Sequence, residues 1–247
     1  MSKQGSLIFK IILVVSLLLN TGLGIYILTR NDPGSSAQMN KIADHNPSRP
    51  DGSGVLGYNS KMEVFMAIPN DTNEIIFLGN SLTERFPVAE LFHDTRIRNR
   101  GISGEGIMQI INRLNEVTEG KPNKIFIEIG INDILNDQHI DSVKKNYSLL
   151  IRKIREASPH TVIYVQSLFP TAFAVKGKNG AAMENIKLIN AYLQQISDNK
   201  QVKFINLFDA FYDGKGLNSK YDCGDQLHLS GAGYLAWRDL IKEYVRE

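Results

Sequence analysis

Short apolar runs alternate with longer amphipathic segments through most of this chain, and no other feature constrains the fold as much. The runs at 75–78, 124–129 and 161–167 are almost continuously apolar, which is typical of strands buried on both faces of a parallel sheet. The segments between them carry apolar residues at helical spacing. Repetition of strand and helix in this way predicts an α/β fold in which helices cover both faces of a parallel sheet.

The boundaries of the other elements follow from turn residues and periodicity. A first helix over 61–68 is expected to end before Pro69, because a proline disfavours helical geometry in the residue before it. Further strands are predicted at 96–99 and 202–206, which makes five in all, and further helices at 106–117, 141–157, 183–197 and from Gly231 onward.

A serine stands at the exit of the first strand, in the sequence Gly79-Asn-Ser-Leu. A strand-to-helix turn there would expose the Ser81 hydroxyl at the carboxyl edge of the sheet, where the loops of a parallel sheet meet. A serine hydroxyl is weakly nucleophilic at neutral pH, so a catalytic role requires a base, a group that orients the base, and donors for an oxyanion. The rest of the chain offers candidates for all three.

The candidate base and its orienting group are His228 and Asp225, just before the last predicted helix. A separation of three residues in a turn lets the carboxylate reach one imidazole nitrogen and leaves the other nitrogen to face Ser81. The candidate oxyanion donors are the backbone N–H groups of Ser81 and Gly104 and the side-chain amide of Asn132. Gly104 and Asn132 follow the second and third predicted strands, beside the same edge of the sheet.

Each of these residues also has a purely structural interpretation. A Gly-Asn-Ser turn can be only a turn, Gly104 can serve packing alone, and Asn132 with Asp133 can cap the following helix. A single histidine such as His228 is more often a surface residue than a base. Their joint occurrence favours an enzyme. The remaining histidines do not belong to any comparable motif and are interpreted as surface or loop residues: His45, His93, His139 and His160.

Four sequence blocks resemble those of the SGNH (GDSL) hydrolase family, in the same order and with similar spacing. They are Gly79-Asn-Ser-Leu, Gly104 with its neighbours, Gly130-Ile-Asn-Asp and Asp225-Gln-Leu-His. The chain is most similar to the branch that holds platelet-activating-factor acetylhydrolase and bacterial carbohydrate acetylesterases, from about Tyr58 to the C-terminus. One position departs from the family pattern, because Asn80 stands where an aspartate is usual. Asparagine can still order the turn through side-chain hydrogen bonds.

The resemblance implies a three-layer α/β/α sandwich with a flavodoxin-like sheet in the order 2-1-3-4-5. It also implies roles for the candidate residues. Ser81 would be the nucleophile, His228 the base and Asp225 its orienting group, while Ser81, Gly104 and Asn132 would form the oxyanion hole. The expected activity is hydrolysis of carboxylic esters through an acyl-enzyme, with no cofactor.

Other chemistries fit the sequence poorly. The glycines at 101, 104 and 106 are in the wrong order for a dinucleotide fingerprint, and no phosphate-binding Gly-x-x-x-x-Gly-Lys motif is present. The Ser81 turn lacks the second glycine of the Gly-x-Ser-x-Gly elbow. No His/Cys/Asp cluster has the spacing of zinc ligands, so no metal is expected. The one cysteine, Cys223, is interpreted as a small loop residue.

The N-terminal part of the chain differs in composition from the rest. Residues 11–28 are uncharged and long enough to span a bilayer, with Lys3 and Lys10 before them and Arg30 after them. This predicts a signal anchor over 1–30, with secretion after cleavage as the alternative. Residues 31–56 are rich in Pro, Gly, Ser and Asn and predict a flexible linker. Residues 57–247 would then form the hydrolase domain, tethered to the membrane outside the cytoplasm.

The sequence says less about partners and substrates than about the fold and the candidate site. The formal net charge is +2 with no basic stripe, which argues against nucleic acid. The family branch favours short acyl esters, O-acetyl groups on carbohydrate above all, and the anchor makes lysophospholipid the second choice. A tethered binding module without turnover and a transacylase are two further functions compatible with the same residues. The segment 169–180 is either a lid that shapes the substrate site or a solvated connector.

Overall fold

The computed structural model describes residues 53–172 and 182–247. Within these ranges five parallel strands form one sheet, in the order β2-β1-β3-β4-β5. The strands are β1 (Ile75–Gly79), β2 (Ile97–Gly101), β3 (Lys124–Glu128), β4 (Val162–Gln166) and β5 (Val202–Ile205). The predicted α/β class and the strand order 2-1-3-4-5 are therefore confirmed.

Helices connect and cover the strands. In chain order they are α1 (Ser53–Ala67), α2 (Ser81–Glu84), α3 (Val88–Phe92), α4 (Ile107–Asn112), α5 (Asn115–Thr118), α6 (Ile131–Leu135), α7 (Ile140–Ala157), α8 (Ala182–Ile196), α9 (Phe208–Phe211) and α10 (Gly231–Arg246). Helix α1 starts at Ser53, within the segment 31–56 that the composition predicts as linker. Its buried side chains are Tyr58, Met62 and Phe65, at helical spacing.

Side chains that alternate along the strands build one core on each face of the sheet. On one face, aliphatic residues such as Leu78 and Ile127 pack with α4, α7 and α8. On the other face, Phe77, Phe126 and Tyr164 are register partners in β1, β3 and β4, and their rings stack at centroid distances of 4.7 and 4.4 Å. Aromatic side chains from α10 complete this second core.

One helix prediction was wrong in detail. The segment 106–117 is two short helices, α4 and α5, because α4 ends at Arg113, whose backbone leaves helical geometry (φ −106°, ψ 11°). The side chain of Arg113 is fully buried and bonds to acidic groups outside the helix. Apolar spacing alone cannot show that break, because it contains no information about the ion pair that Arg113 forms with Glu105.

The strand order brings three loops together at the carboxyl edge of the sheet. Strand β1 lies between β2 and β3, so the segments that follow these three strands are neighbours. Gly79, the last residue of β1, is closely surrounded: a Cβ there would lie 2.2 Å from the Thr83 hydroxyl oxygen and 2.3 Å from the Glu128 carbonyl oxygen. Glycine therefore allows α2 to begin directly after the strand.

Among residues 53–172 and 182–247, no helix is long and apolar enough to cross a membrane. The apolar segment 11–28, which the sequence predicts as a signal anchor, lies outside the described residues.

Candidate active site

Ser81, His228 and Asp225 form a connected chain of hydrogen bonds. Ser81 Oγ lies 2.9 Å from His228 Nε2, and His228 Nδ1 lies 2.6 Å from Asp225 Oδ2. The serine and histidine are 147 positions apart in sequence, so only the tertiary fold brings them together. The histidine side chain is 15% exposed and the aspartate side chain 40%, so the site is open to solvent. This arrangement can transfer a proton from the hydroxyl to the imidazole.

The loop before α10 holds the Asp225 carboxylate in place. Its Oδ1 accepts the backbone N–H groups of Leu227 and His228, at 3.0 and 2.7 Å. Partial burial acts to raise the pKa of this carboxyl, but the hydrogen bonds from the His228 side chain and these backbone groups outweigh it and hold the pKa well below its ordinary value. Asp225 is therefore a carboxylate at every pH at which the protein would be assayed.

Asp222 is a supporting residue that sequence reasoning missed. Its carboxylate accepts the backbone N–H of Gln226 at 2.9 Å and the side-chain amide of Gln226 at 2.7 Å. Gln226 has a positive φ of 62°, which a residue with a side chain rarely adopts. Asp222 therefore stabilises the turn that carries Asp225 and His228. The sequence feature that could have indicated this role is its position three residues before Asp225.

Asn80 orders the turn beneath the serine, as expected. Its side chain is fully buried, and its Oδ1 accepts the backbone N–H of Leu82 at 2.9 Å, which caps α2. From the other side, the Tyr234 hydroxyl of α10 donates to the Leu82 carbonyl oxygen at 3.1 Å. The start of α2, and with it Ser81, is thus fixed from two directions.

The other two candidate oxyanion donors lie on adjacent loops. Gly104 is exposed and has a φ of +85°, and a Cβ there would meet no atom within 4 Å. Glycine is therefore favoured at position 104 because of the backbone conformation and not because of close packing. The Asn132 amide donates to the Glu105 carbonyl oxygen at 2.7 Å, which leaves its second N–H available.

The capping interpretation of Asn132 and Asp133 is wrong for the helix that contains them. Helix α6 has Gly130 as its N-cap, with no side-chain cap. The Asp133 carboxylate instead accepts the backbone N–H of Ile107, at the start of α4. Burial raises the pKa of Asp133 to about 6, although this hydrogen bond acts in the opposite direction.

The sequence pattern of the GDSL-like Lipase/Acylhydrolase family matches residues 77–236, which include every candidate site residue. The chain belongs to this family. It is therefore a carboxylic ester hydrolase, and the family resemblance seen in its four sequence blocks is confirmed.

Individual proteins similar to this GDSL-like acylhydrolase span several organisms. Platelet-activating factor acetylhydrolase IB subunit alpha2 of Rattus norvegicus is 25% identical over 167 residues, which cover 65% of this chain and 71% of the relative. A Streptococcus pneumoniae protein assigned as a platelet activating factor is 26% identical with a TM-score of 0.66, covering 91% of this chain and 99% of the other. A catalytic mutant of an acetylxylan esterase from Geobacillus stearothermophilus shares the fold, with a TM-score of 0.57, 18% identity, and coverage of 71% and 95%.

A buried cluster of charges lies behind the Gly104 loop of this acylhydrolase, and sequence reasoning missed it. Arg113 donates to both carboxylate oxygens of Glu105, with a shortest distance of 2.6 Å, and to Glu116 at 2.5 Å. Arg100 donates to the other oxygen of Glu116 at 3.1 Å. Burial raises the pKa of both carboxyls, while Arg113 stays protonated because the two acidic groups outweigh its own burial. The sequence feature that could have revealed this cluster is Arg113 itself, because a charged residue on the apolar face of a predicted helix needs a buried partner.

Glu128 is a second buried acid that the sequence did not single out. It is the last residue of β3 and has no exposed surface. Among the described residues, neither of its carboxylate oxygens has a hydrogen-bond partner. Burial raises the pKa of Glu128 to about 8, so this carboxyl is protonated at neutral pH.

Within residues 53–172 and 182–247, one group of side chains has donor atoms that a metal ion could bind. Asp222, Cys223 and Asp225 present oxygen or sulfur atoms within 4.8 Å of one another. Both carboxylates already accept hydrogen bonds from groups of the turn at 225–228. The pKa of the Cys223 thiol is raised by desolvation and then by Asp225, which disfavours the thiolate that metals prefer. Asp222 and Asp225 are therefore better explained as hydrogen-bond acceptors of the turn than as ligands of a metal ion.

The other described histidines and the first residues of the segment 169–180 take no part in the hydrogen-bonded chain at Ser81. The described histidines outside the site are exposed, as expected: His93, His139 and His160. The start of the segment 169–180 belongs to the core, because Phe169 is buried against Phe211 and Trp237. Residues 173–181, which include most of the predicted lid, lie outside the described residues.

Proposed function

We propose that this acylhydrolase is a serine esterase that removes short acyl groups, O-acetyl above all, from carbohydrate through an acyl-enzyme on Ser81. The observation that carries the proposal is the hydrogen-bonded chain from Ser81 Oγ to His228 Nε2 at 2.9 Å and from His228 Nδ1 to Asp225 Oδ2 at 2.6 Å. The names of two similar proteins, an acetylhydrolase and an acetylxylan esterase, support acetyl as the acyl group.

The reaction proceeds in two steps. His228 takes the Ser81 proton as the hydroxyl oxygen bonds to the ester carbonyl carbon, and the carbonyl oxygen becomes an oxyanion held by Ser81 N–H, Gly104 N–H and the Asn132 amide. Collapse of this intermediate breaks the ester bond, and His228 gives its proton to the leaving alcohol. A water molecule then attacks the acyl-enzyme with His228 again as base, which releases the acid and restores the serine.

An acyl-length series tests the substrate class. The enzyme is assayed with p-nitrophenyl esters from acetyl to octanoyl and with acetylated xylo-oligosaccharides, and released acetate is measured for the latter. We expect kcat/KM to fall steeply beyond two or three acyl carbons, because each extra methylene must find apolar surface or clash. A steady rise, by up to about 0.8 kcal/mol per methylene, would instead indicate a lipid-directed site.

The same assay separates hydrolysis from the two further functions. A binding module without turnover would bind acetylated sugar and release no acetate. A transacylase would transfer the acetyl group to an added sugar acceptor in preference to water, which product analysis by mass spectrometry detects.

We further propose that residues 1–30 anchor the enzyme in a membrane and that residues 31–56 tether the catalytic domain outside the cytoplasm. The proposal rests on the uncharged segment 11–28 and its basic flanks. Alkaline extraction of membranes from cells that express the full-length protein tests it. The protein should stay in the membrane pellet and be digested by protease added to spheroplasts. Release into the medium as a shortened chain would show cleavage of the segment.

A further inference from the structure

The residues on either side of Gly104 are each held by hydrogen bonds to a charged side chain. On one side, the Ser103 backbone N–H donates to Glu84, which lies at the end of the Ser81 helix α2. On the other side, Glu105 is bound through its side chain by Arg113 and through its carbonyl oxygen by the Asn132 amide. Residues 102–106, here called the oxyanion loop, are therefore held at two points by charge-assisted hydrogen bonds.

Helix α1 contacts the charged partner at both points. Lys61 forms an ion pair with Glu84 at 2.7 Å. One turn further along, the Phe65 ring lies under the guanidinium groups of Arg100 and Arg113, at 4.7 and 5.9 Å from the ring centroid. Both contacts come from one face of α1, since residues four apart in a helix are neighbours.

Tyr58 places a third α1 side chain beside the same cluster. It is buried, and the pKa of its hydroxyl is raised to about 12, by burial first and by the nearby Glu105 carboxylate second. Phe65 is also buried, with 8% of its surface exposed, so the cluster is covered by α1 and not by solvent. Exclusion of water by α1 keeps the attraction within the ion pair strong, because water would screen it.

We propose that α1 is a positioning element for the oxyanion hole, acting through Lys61 on Glu84 and through Phe65 on the Arg113–Glu105 pair. This inference rests on the proposed function. Neither Lys61 nor Phe65 would touch substrate. Their effect passes through the oxyanion loop to Gly104 N–H, and through the Glu105 carbonyl to the Asn132 amide. A small displacement of such donors is enough to matter, since misplacement by about 1 Å can cost a hundredfold in rate.

The test uses the full-length protein with Lys61→Met and Phe65→Leu, singly and together. We expect the double variant to lose about tenfold or more in kcat, with KM changed by less than about twofold, because oxyanion donors act mainly in the transition state. Two controls should leave kcat unchanged. Val64→Ala alters an exposed residue of the same helix. Glu74→Gln breaks a similar, partly buried pair with Arg98 at the amino ends of β1 and β2, away from the oxyanion loop that follows the carboxyl end of β2.

A double-mutant cycle with Asn132→Ala separates positioning from general destabilisation. If α1 acts through the oxyanion donors, the loss caused by the α1 substitutions should shrink in the Asn132→Ala background. Circular dichroism checks folding, and Lys61→Met alone serves if the double variant does not fold. Unchanged kcat in folded variants, or an equal loss in both backgrounds, would overturn the inference. Failure of the proposed function looks different, because the unmodified enzyme itself would then show no esterase activity.

Discussion

The Asn132 side-chain amide donates a 2.7 Å hydrogen bond to the carbonyl oxygen of Glu105, the residue that follows Gly104. Two of the three proposed oxyanion donors therefore belong to one bonded unit that joins the loop after β2 to the loop after β3. The third donor, Ser81 N–H, opens the helix that follows β1. The order of the strands is what makes these three loops adjacent.

Replacement of Asn132 by alanine should lower the rate far more than the stability. We expect kcat to fall on the order of a hundredfold, as for other oxyanion donors, with KM little changed. Stability should fall by only about 1 kcal/mol, because one hydrogen bond to Glu105 is lost. Steady-state kinetics and urea denaturation measure the two effects. A large loss of stability without a specific loss of kcat would show that Asn132 has a structural role and is not an oxyanion donor.

Substitutions at Asn80 should separate hydrogen bonding from charge. Asn80→Asp keeps an oxygen that can accept the Leu82 N–H, so we expect an active, folded enzyme. Asn80→Leu leaves that buried N–H without a partner, which should cost about 1–3 kcal/mol of stability and lower kcat. Thermal melts and kinetics on both variants check this. Equal damage from both changes would show that the amide nitrogen, and not the oxygen, is the important group.

The sequence predicted the sheet, and the residues that meet in the candidate site, better than the groups that support these residues. Strands are signalled by local apolar runs, and the Ser81, Gly104, Asn132 and His228 blocks are signalled by family resemblance. The Arg113–Glu105 pair was not predicted, because a buried charge shows its partner only once the chain has folded. For the same reason the break between α4 and α5 was missed. Glu128 was missed because the burial of its side chain depends on the elements that pack around β3 in the folded protein.

Glu128 should make the stability of the protein depend on pH. Burial raises its pKa from 4.5 to about 8, so its favourable contribution is complete below pH 4.5 and is lost as the pH rises through 8. Glu128→Gln keeps the shape and removes the ionisation. We therefore expect the variant to be more stable than the unmodified protein by up to about 5 kcal/mol near pH 9. The gain should shrink toward pH 4.5, and thermal melts across this range measure it. A difference that does not vary with pH would mean that Glu128 does not ionise in this range.

Asp225→Asn should leave the fold intact and a small residual rate. In the proposed mechanism the carboxylate holds the His228 ring in the orientation and tautomer that the serine needs, so we expect kcat to fall by about a thousandfold or more. Because its pKa is well below the ordinary value, the unmodified enzyme should not lose activity through Asp225 at mildly acidic pH. Asp239→Asn, which changes an exposed acid on α10, is the matched control. Activity within a few fold of the unmodified enzyme would remove Asp225 from the catalytic chain.

Covalent labelling of Ser81 tests the central claim most directly. The full-length protein is incubated with a fluorophosphonate, and intact-mass and peptide mass spectrometry locate the adduct. We expect one adduct per chain, at Ser81, with parallel loss of esterase activity, and neither label nor turnover in a folded Ser81→Ala variant. Slower labelling of His228→Ala would tie the reactivity to the imidazole 2.9 Å away. An unlabelled Ser81 in an enzyme that still hydrolyses acetyl esters, or a Ser81→Ala variant that keeps its activity, would contradict the serine mechanism.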